Sequence, residues 1–175
     1  LEIALLADGV APDELYPLNV DRAFESLEKI KPEVVKWWAL GAEGAQALAD
    51  EEAVVGDIYN ARATNLIKDG APLAIEWNQG IMALDGWLIV KDAPHLDAAQ
   101  QFVAFASGAE RQAEFARNLP YGPVNTKAAD FLDEETLANL PTSPENLPNM
   151  VIFDVAWWME NYDDVTARFQ EFLLD

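Results

Sequence analysis

Segments rich in β-branched and aromatic residues alternate with segments of helical periodicity along most of this chain. The segment EVVKWWAL, residues 33–40, has the composition of a strand, and the alanine-rich GAEGAQALADEE, residues 41–52, that of a helix. The alternation continues through the strand-like AVVGDIY, PLAIEW and MALDGWLIV, with the helical NARATNLIKDG after the first of them. This order predicts an α/β fold, in which a mixed sheet is flanked by helices.

Helical periodicity dominates the two ends of the chain. Residues 1–9 predict a short helix whose start is cut off and which stops at a glycine, and residues 19–30 predict an amphipathic helix. Residues 95–118 predict two consecutive helices, because the apolar pattern restarts after a glycine. The tail, residues 154–175, is again helical. The chain therefore carries helices on both sides of its strand-like segments.

A proline-rich stretch, LPTSPENLPN at residues 140–149, separates the tail from the rest of the chain. Proline lacks an amide donor, so this stretch is predicted to be an irregular linker. We expect an α/β lobe over residues 1–140, partial at its N-terminal end, and a linker plus C-terminal helix over residues 141–175. The pair Trp157-Trp158 is predicted to pin that helix rather than to reach a ligand.

Charge and composition exclude several classes of function. The 175 residues include 31 acidic and 11 basic ones, a net charge of -20, which repels nucleic acid. The chain has no cysteine, so disulfides and thiol nucleophiles are absent. No apolar run has the length of a membrane span, and the first residues do not resemble a secretory leader.

Catalytic and metal-binding patterns are also missing. The one histidine, His95, follows a proline where a helix should start, and the three serines show no nucleophile-elbow pattern. The acidic pairs Glu51-Glu52 and Asp163-Asp164 lack the spacing of a calcium loop. The chain is therefore predicted to be no enzyme and to need no cofactor or metal.

Polar and aromatic residues at the ends of predicted strands remain as candidate binding residues. They are Tyr59, Asn60, Asp85 and Trp87. Ligand sites in open α/β sheets lie at such ends, and an ammonium ligand needs a carboxylate together with aromatic faces. The pattern favours binding over catalysis, although packing in the core is an alternative for the tryptophan.

The ordered segments AFESLEKIKPEVVKWW, GDIYNARA and LDGWLIVKDAPHLDAAQQFVAFASGAERQAEFARNLPYGPVNTKA resemble the spermidine/putrescine-type solute-binding proteins of bacterial ABC transporters. The resemblance covers nearly the whole chain and implies the periplasmic-binding-protein type II fold, in which two lobes close on a solute. It matches the chain to most of the second lobe and the C-terminal helices. It also implies a periplasmic location, a monomer, and a membrane permease as partner.

The resemblance assigns roles to particular residues. Asp85 matches the aspartate that pairs with a ligand ammonium, and Tyr59 stands where the family has a tryptophan beside the ligand. Ala83 replaces an aromatic residue of the polyamine-binding members, and a further carboxylate of the family would lie upstream of Leu1. Trp87 is expected to support the strand. The implied ligand is a small amine, such as putrescine or spermidine.

Arg62, two residues after Asn60, opens an alternative. Its guanidinium is suited to bidentate binding of a carboxylate, and with Asp85 on the ammonium the ligand would be an ω-amino acid such as γ-aminobutyrate. From the sequence alone, a solvent-facing arginine on a short helix is the favoured interpretation. An enzyme of the same fold is a less favoured alternative.

Overall fold

The computed structural model describes residues 1–174, which form two compact units. The first unit combines Leu1–Val35 and Gln79–Ala83 with the residues from Met150 onward, and the second combines Lys36–Asn78 with Leu84–Asn149. Each unit is thus assembled from segments that are distant in sequence. The boundary predicted at residue 140 from the prolines stays a prediction.

Helices account for most of the regular structure in residues 1–174. In chain order the elements are α1 (Glu2–Ala7), α2 (Val20–Ile30), α3 (Gly41–Ala49), α4 (Asn60–Lys68), β1 (Ile81–Met82), α5 (Leu96–Ala106), α6 (Ala109–Asn118), α7 (Glu134–Ala138), β2 (Val151–Ile152) and α8 (Val155–Leu174). Short 3-10 turns cover Pro12–Glu14, Lys31–Glu33, Thr126–Phe131 and Leu147–Asn149. No helix in this part of the chain combines the length and apolar character needed to cross a bilayer.

Local sequence chemistry explains where several helices begin and end. The Asn19 side chain accepts a hydrogen bond from the Arg22 amide at 3.1 Å and caps α2, and the Asp133 carboxylate caps α7 through the Thr136 amide at 2.7 Å. Gly70, just past α4, has a φ of +97°, which glycine adopts at low cost. Helices α2 and α4 confirm the helices predicted at these positions, although Asn60 is the first residue of α4 and not its cap.

The strands β1 and β2 pair in parallel within the first unit. Ile81 lies opposite Val151, and Met82 lies opposite Ile152. The Val151 amide donates to the Gly80 carbonyl at 2.8 Å, and the Phe153 amide donates to the Met82 carbonyl at 2.9 Å. This pair therefore joins residues that are about seventy positions apart in the sequence.

The individual strands predicted from composition are wrong, apart from one residue. The segments 33–40, 53–59 and 72–77 contain no strand, and 82–90 contributes only its first residue to one. A strand-like composition does not by itself produce a strand, because the backbone groups of a strand must form hydrogen bonds with a neighbouring strand. Several of their apolar side chains are exposed, Val54 at 93% and Leu88 at 92%.

The core of the first unit is a small apolar cluster. Trp157 and Trp158, at the start of α8, pack against this cluster. Seven buried side chains form it: Ala4, Leu5, Leu6, Leu15, Leu18, Ala23 and Val151. Farther along α8, Phe172 packs on Phe24 of α2 with ring centroids 5.7 Å apart. Apolar burial of this kind stabilises the unit in proportion to the area removed from water. It fixes α8 against α1 and α2.

One buried carboxylate lies at the edge of this core. Glu2 is 6% exposed, and its Oε1 accepts hydrogen bonds from the Tyr16 hydroxyl and from Trp158 Nε1, each at 2.6 Å. Burial raises the pKa of Glu2, and the hydrogen bonds from Tyr16 and Trp158 lower it. Burial and the bond to Glu2 raise the pKa of Tyr16. Trp158 thus pins α8 to α1, as predicted for the tryptophan pair.

Replacing Tyr16 with Phe removes one hydrogen bond from the buried Glu2 carboxylate. We expect the free energy of unfolding of the full-length protein to fall by about 1.5–3 kcal/mol, the usual range for a hydrogen bond to a charged group. Urea unfolding measures this change. The matched control is Tyr162→Phe, since Tyr162 is 60% exposed and its hydroxyl makes no hydrogen bond within residues 1–174. Equal losses in the two variants would contradict the role given to Glu2.

Candidate ligand-binding site

The second unit brings two helix starts and an aromatic pair together. Trp38, shortly before α3, donates its indole Nε1 proton to the Asp57 carbonyl at 2.7 Å. Its ring lies 5.9 Å from the ring of Tyr59, the residue that precedes α4, at an interplanar angle of 59°. Trp38 therefore ties the approach to α3 to the approach to α4, although about twenty residues separate them in sequence.

Arg62 and Tyr59 lie directly against the first residue of α3. A Cβ atom placed on Gly41 would lie 2.9 Å from Arg62 Nε and 2.9 Å from Tyr59 Cδ2. The guanidinium end of Arg62 therefore occupies space that any other residue at position 41 would take. We call Trp38, Gly41, Tyr59, Asn60 and Arg62 the Arg62 cradle.

Asn60 connects the Arg62 cradle to the loop YGPVN. Its Nδ2 donates to the Pro120 carbonyl at 2.5 Å, immediately before that loop. At the other end of the loop, Asn125 is also held by two hydrogen bonds. Its backbone amide donates to Gln112 Oε1 at 2.8 Å, and its Nδ2 donates to the Ser107 carbonyl at 3.0 Å. The loop is thus held at both ends, and Asn60 has a structural partner within the unit.

The electrostatic state of Arg62 distinguishes it from every other arginine of the chain. Arg22, Arg111, Arg117 and Arg168 each pair with a carboxylate at 2.6–3.3 Å. Arg62 is exposed and forms no ion pair within residues 1–174, in a chain with 31 acidic residues. An unpaired guanidinium beside the Tyr59 ring is suited to receive a carboxylate from a ligand.

The two helix starts of the Arg62 cradle differ in charge. The Glu43 carboxylate accepts hydrogen bonds from the amides of Ala39 and Leu40 at 3.0 and 3.1 Å. The bonds from Leu40 and Ala39 hold the pKa of Glu43 below its usual value, so the start of α3 is already neutralised. No side chain caps α4 at Tyr59. The positive end of α4 therefore adds to the field of Arg62 on an approaching anion.

Asp85 and Trp87 lie on a different segment of the second unit. Residues 84–90 form no regular structure, and Asp85 is exposed and makes no hydrogen bond or ion pair within the described residues. The Trp87 ring is 60% exposed and meets Phe102 of α5 edge-on, with centroids 5.2 Å apart. No hydrogen bond or ion pair in residues 1–174 joins Asp85 to the Arg62 cradle. The ligand-binding roles of all five predicted residues stay predictions.

Two members of the Arg62 cradle were not among the candidates from sequence. Trp38 was assigned to a strand, and Gly41 to the start of a helix; the second assignment is correct, since α3 begins at Gly41. The glycines of GAEGA, three positions apart, were the available indication that something packs closely on this helix face. The described residues contain no cluster of three or more side chains able to hold a metal ion.

Comparison with known sequences places the chain among transport proteins. A family model described as bacterial extracellular solute-binding protein matches residues 1–145. A gamma-aminobutyric acid-binding protein of Pseudomonas aeruginosa is 37% identical over 174 residues, covering 97% of this chain and 49% of that protein. A spermidine/putrescine-binding periplasmic protein 1 of Haemophilus influenzae is 22% identical over 172 residues, covering 97% and 46%. The chain spans about half the length of these relatives.

Solved structures give the same result. An ABC transporter substrate-binding protein from Bradyrhizobium japonicum matches with a TM-score of 0.89 and 38% identity, over 98% of this chain and 54% of that one. The Atu4243-GABA receptor matches at 0.88 and 37%, over 98% and 52%. AgtB from A. tumefaciens, in complex with agropinic acid, matches at 0.85 and 34%, over 99% and 55%. These matches confirm the predicted periplasmic-binding-protein fold, and the relatives are solute-binding proteins rather than enzymes, as predicted.

Proposed function

Because the chain belongs to the bacterial extracellular solute-binding protein family, we propose that it is part of an ABC-transporter receptor for a small ω-amino acid such as γ-aminobutyrate. The receptor acts in the periplasm and delivers its solute to a membrane permease. Relatives at 37% identity are named for γ-aminobutyrate binding, whereas the relative named for polyamine binding is 22% identical. We therefore propose an ω-amino acid, which is zwitterionic, as the ligand in preference to putrescine or spermidine.

The observation that carries this proposal is the unpaired guanidinium of Arg62. In a chain of net charge -20, a cation that has no carboxylate partner in the described residues is available to a ligand carboxylate. The same cation repels an ammonium group, so a polyamine, which has an ammonium group at both ends, would bind unfavourably beside it. The Tyr59 ring against Arg62 adds an apolar wall for the methylene groups between the two ends of the ligand.

Asp85 is the proposed partner of the ligand ammonium. It is a carboxylate without a hydrogen bond or ion pair in residues 1–174, and the family resemblance supports a role at the ammonium end. Ala83, two residues earlier, leaves out the aromatic wall that a polyamine site would use for cation–π attraction. Asn60 acts by holding the start of α4, and Trp87 by supporting the segment that carries Asp85.

The proposed mechanism is closure of two lobes around the solute. A ligand that contacts both lobes binds the closed form more tightly than the open form, so it shifts the equilibrium toward closure. Closure also removes water from the ion pairs, which strengthens them relative to an exposed site. The permease then distinguishes loaded from empty receptor by its conformation.

Substitution of Arg62 by Ala in the full-length protein tests the carboxylate end. We expect affinity for γ-aminobutyrate to fall by about 2–5 kcal/mol, that is, roughly thirtyfold or more, because the ligand carboxylate loses its charge partner. Isothermal titration calorimetry measures the affinity. The control is Arg111→Ala on α6, where the arginine is already paired with Glu110. Unchanged affinity in Arg62→Ala, or tighter binding of putrescine than of γ-aminobutyrate by the unaltered protein, would contradict the proposal.

Substitution of Asp85 by Asn tests the ammonium end separately. The side chain keeps its size but loses its charge, and we expect a loss of about 2–5 kcal/mol in γ-aminobutyrate binding if the ion pair is desolvated. Asp92→Asn is the control on the same stretch, since its φ of 60° is tolerated by asparagine. Calorimetry that gives the same affinity for both variants and the unaltered protein would remove Asp85 from the site.

A further inference from the structure

Helix α3 carries two glycines on one face where alanine would stabilise the helix better. Gly41 and Gly44 are three positions apart, and the other apolar residues of α3 include Ala42, Ala45 and Ala47. Inside a helix, glycine is less favourable than alanine, and neither glycine has the positive φ that would require it. The reason for glycine at these positions is therefore space rather than backbone conformation.

The two glycines make room for different side chains. A Cβ on Gly44 would meet Trp38 Cδ1 at 2.8 Å and Ile58 Cγ2 at 2.9 Å, which are groups of packed apolar side chains. A Cβ on Gly41 would meet Arg62 Nε at 2.9 Å. Contacts under 3.0 Å force one partner to move. The part that moves most easily is the end of a long flexible side chain, so at position 41 the Arg62 guanidinium would be displaced.

From this contact we infer that Gly41 is a positioning residue for Arg62, and through it a determinant of specificity for ligands that carry a carboxylate. The inference rests on the proposed function, in which Arg62 binds the ligand carboxylate. The bare first turn of α3 lets Arg62 Nε approach the helix at Gly41, with the Tyr59 ring beside it. That contact restricts the rotamers of a side chain that no ion pair holds in the described part of the chain.

The orientation of the guanidinium matters because its five N–H donors form a rigid planar fork. A bidentate pair with a carboxylate needs two parallel hydrogen bonds, and a rotated or shifted fork keeps the charge but loses one of them. Recognition of the carboxylate is therefore expected to depend on position 41, while general electrostatic attraction is not.

The test compares Gly41→Ala with Ala42→Ser in the full-length protein. Both changes add one atom to the first turn of α3, but Ala42 is exposed, whereas a methyl group at position 41 meets Arg62. We expect Gly41→Ala to weaken γ-aminobutyrate binding roughly tenfold, the effect of one lost hydrogen bond to a charged group, and Ala42→Ser to leave it nearly unchanged. Calorimetry gives the affinities, and the melting temperature shows that both variants fold.

A second readout follows the guanidinium itself. The Arg62 Nε–H signal in a nitrogen-proton NMR spectrum, assigned by its disappearance in Arg62→Lys, is expected to shift in Gly41→Ala and to stay in place in Ala42→Ser. A merely structural role for Gly41 would not move this signal selectively. An unmoved signal, or equal shifts in the two variants, overturns the inference.

The outcomes separate this inference from the proposed function. If Arg62→Ala weakens binding but Gly41→Ala does not, the positioning role of Gly41 is wrong and the proposed function stands. If neither substitution changes the affinity for γ-aminobutyrate, the carboxylate site at Arg62 is wrong, and the positioning role fails with it.

Discussion

The contact between the first turn of α3 and the side chains of Tyr59 and Arg62 is the constraint on which the candidate site depends. The two segments are about twenty residues apart in sequence. They approach so closely there that no side chain larger than that of glycine fits at position 41 without moving its neighbours. The contact places a guanidinium and an aromatic ring side by side and leaves the guanidinium exposed. These three properties support the proposed site for a carboxylate with an apolar chain behind it.

The first unit shows a different way of holding distant segments together. Its parallel strands are short and its apolar core is small. A hydrogen bond from Trp158 to the buried Glu2 carboxylate connects α8 to α1. A buried charge of this kind is costly unless it is fully hydrogen-bonded, and Glu2 has both Tyr16 and Trp158 as donors. The tryptophan pair that stood out in the sequence therefore has a structural role in this unit.

Helices were predictable from the sequence because their determinants are local. The capping residues Asn19 and Asp133 and the terminating Gly70 act within a few positions of the helix that they limit. Strands depend on partners elsewhere in the chain, so composition alone marked segments such as 53–59 as strands that the described residues do not form. The fold class was still predictable, because it rests on the order of segments.

The candidate site was predictable in part for the same reason. Tyr59, Asn60 and Arg62 were found together because they share the start of one helix. Gly41 was missed because its importance lies in a contact with a residue that is 21 positions away, which no local pattern encodes. Asp85 illustrates the opposite case, since its proposed role comes from a family resemblance and not from any bond it makes within residues 1–174.

The central claim is that this protein recognises a carboxylate and an ammonium at opposite ends of one small solute. A crystal structure of the full-length protein with γ-aminobutyrate tests it most directly. The account predicts the ligand carboxylate within hydrogen-bond distance of both terminal nitrogens of Arg62 and the ammonium within hydrogen-bond distance of Asp85. A ligand bound with its ammonium toward Arg62, or bound away from both residues, would contradict the account.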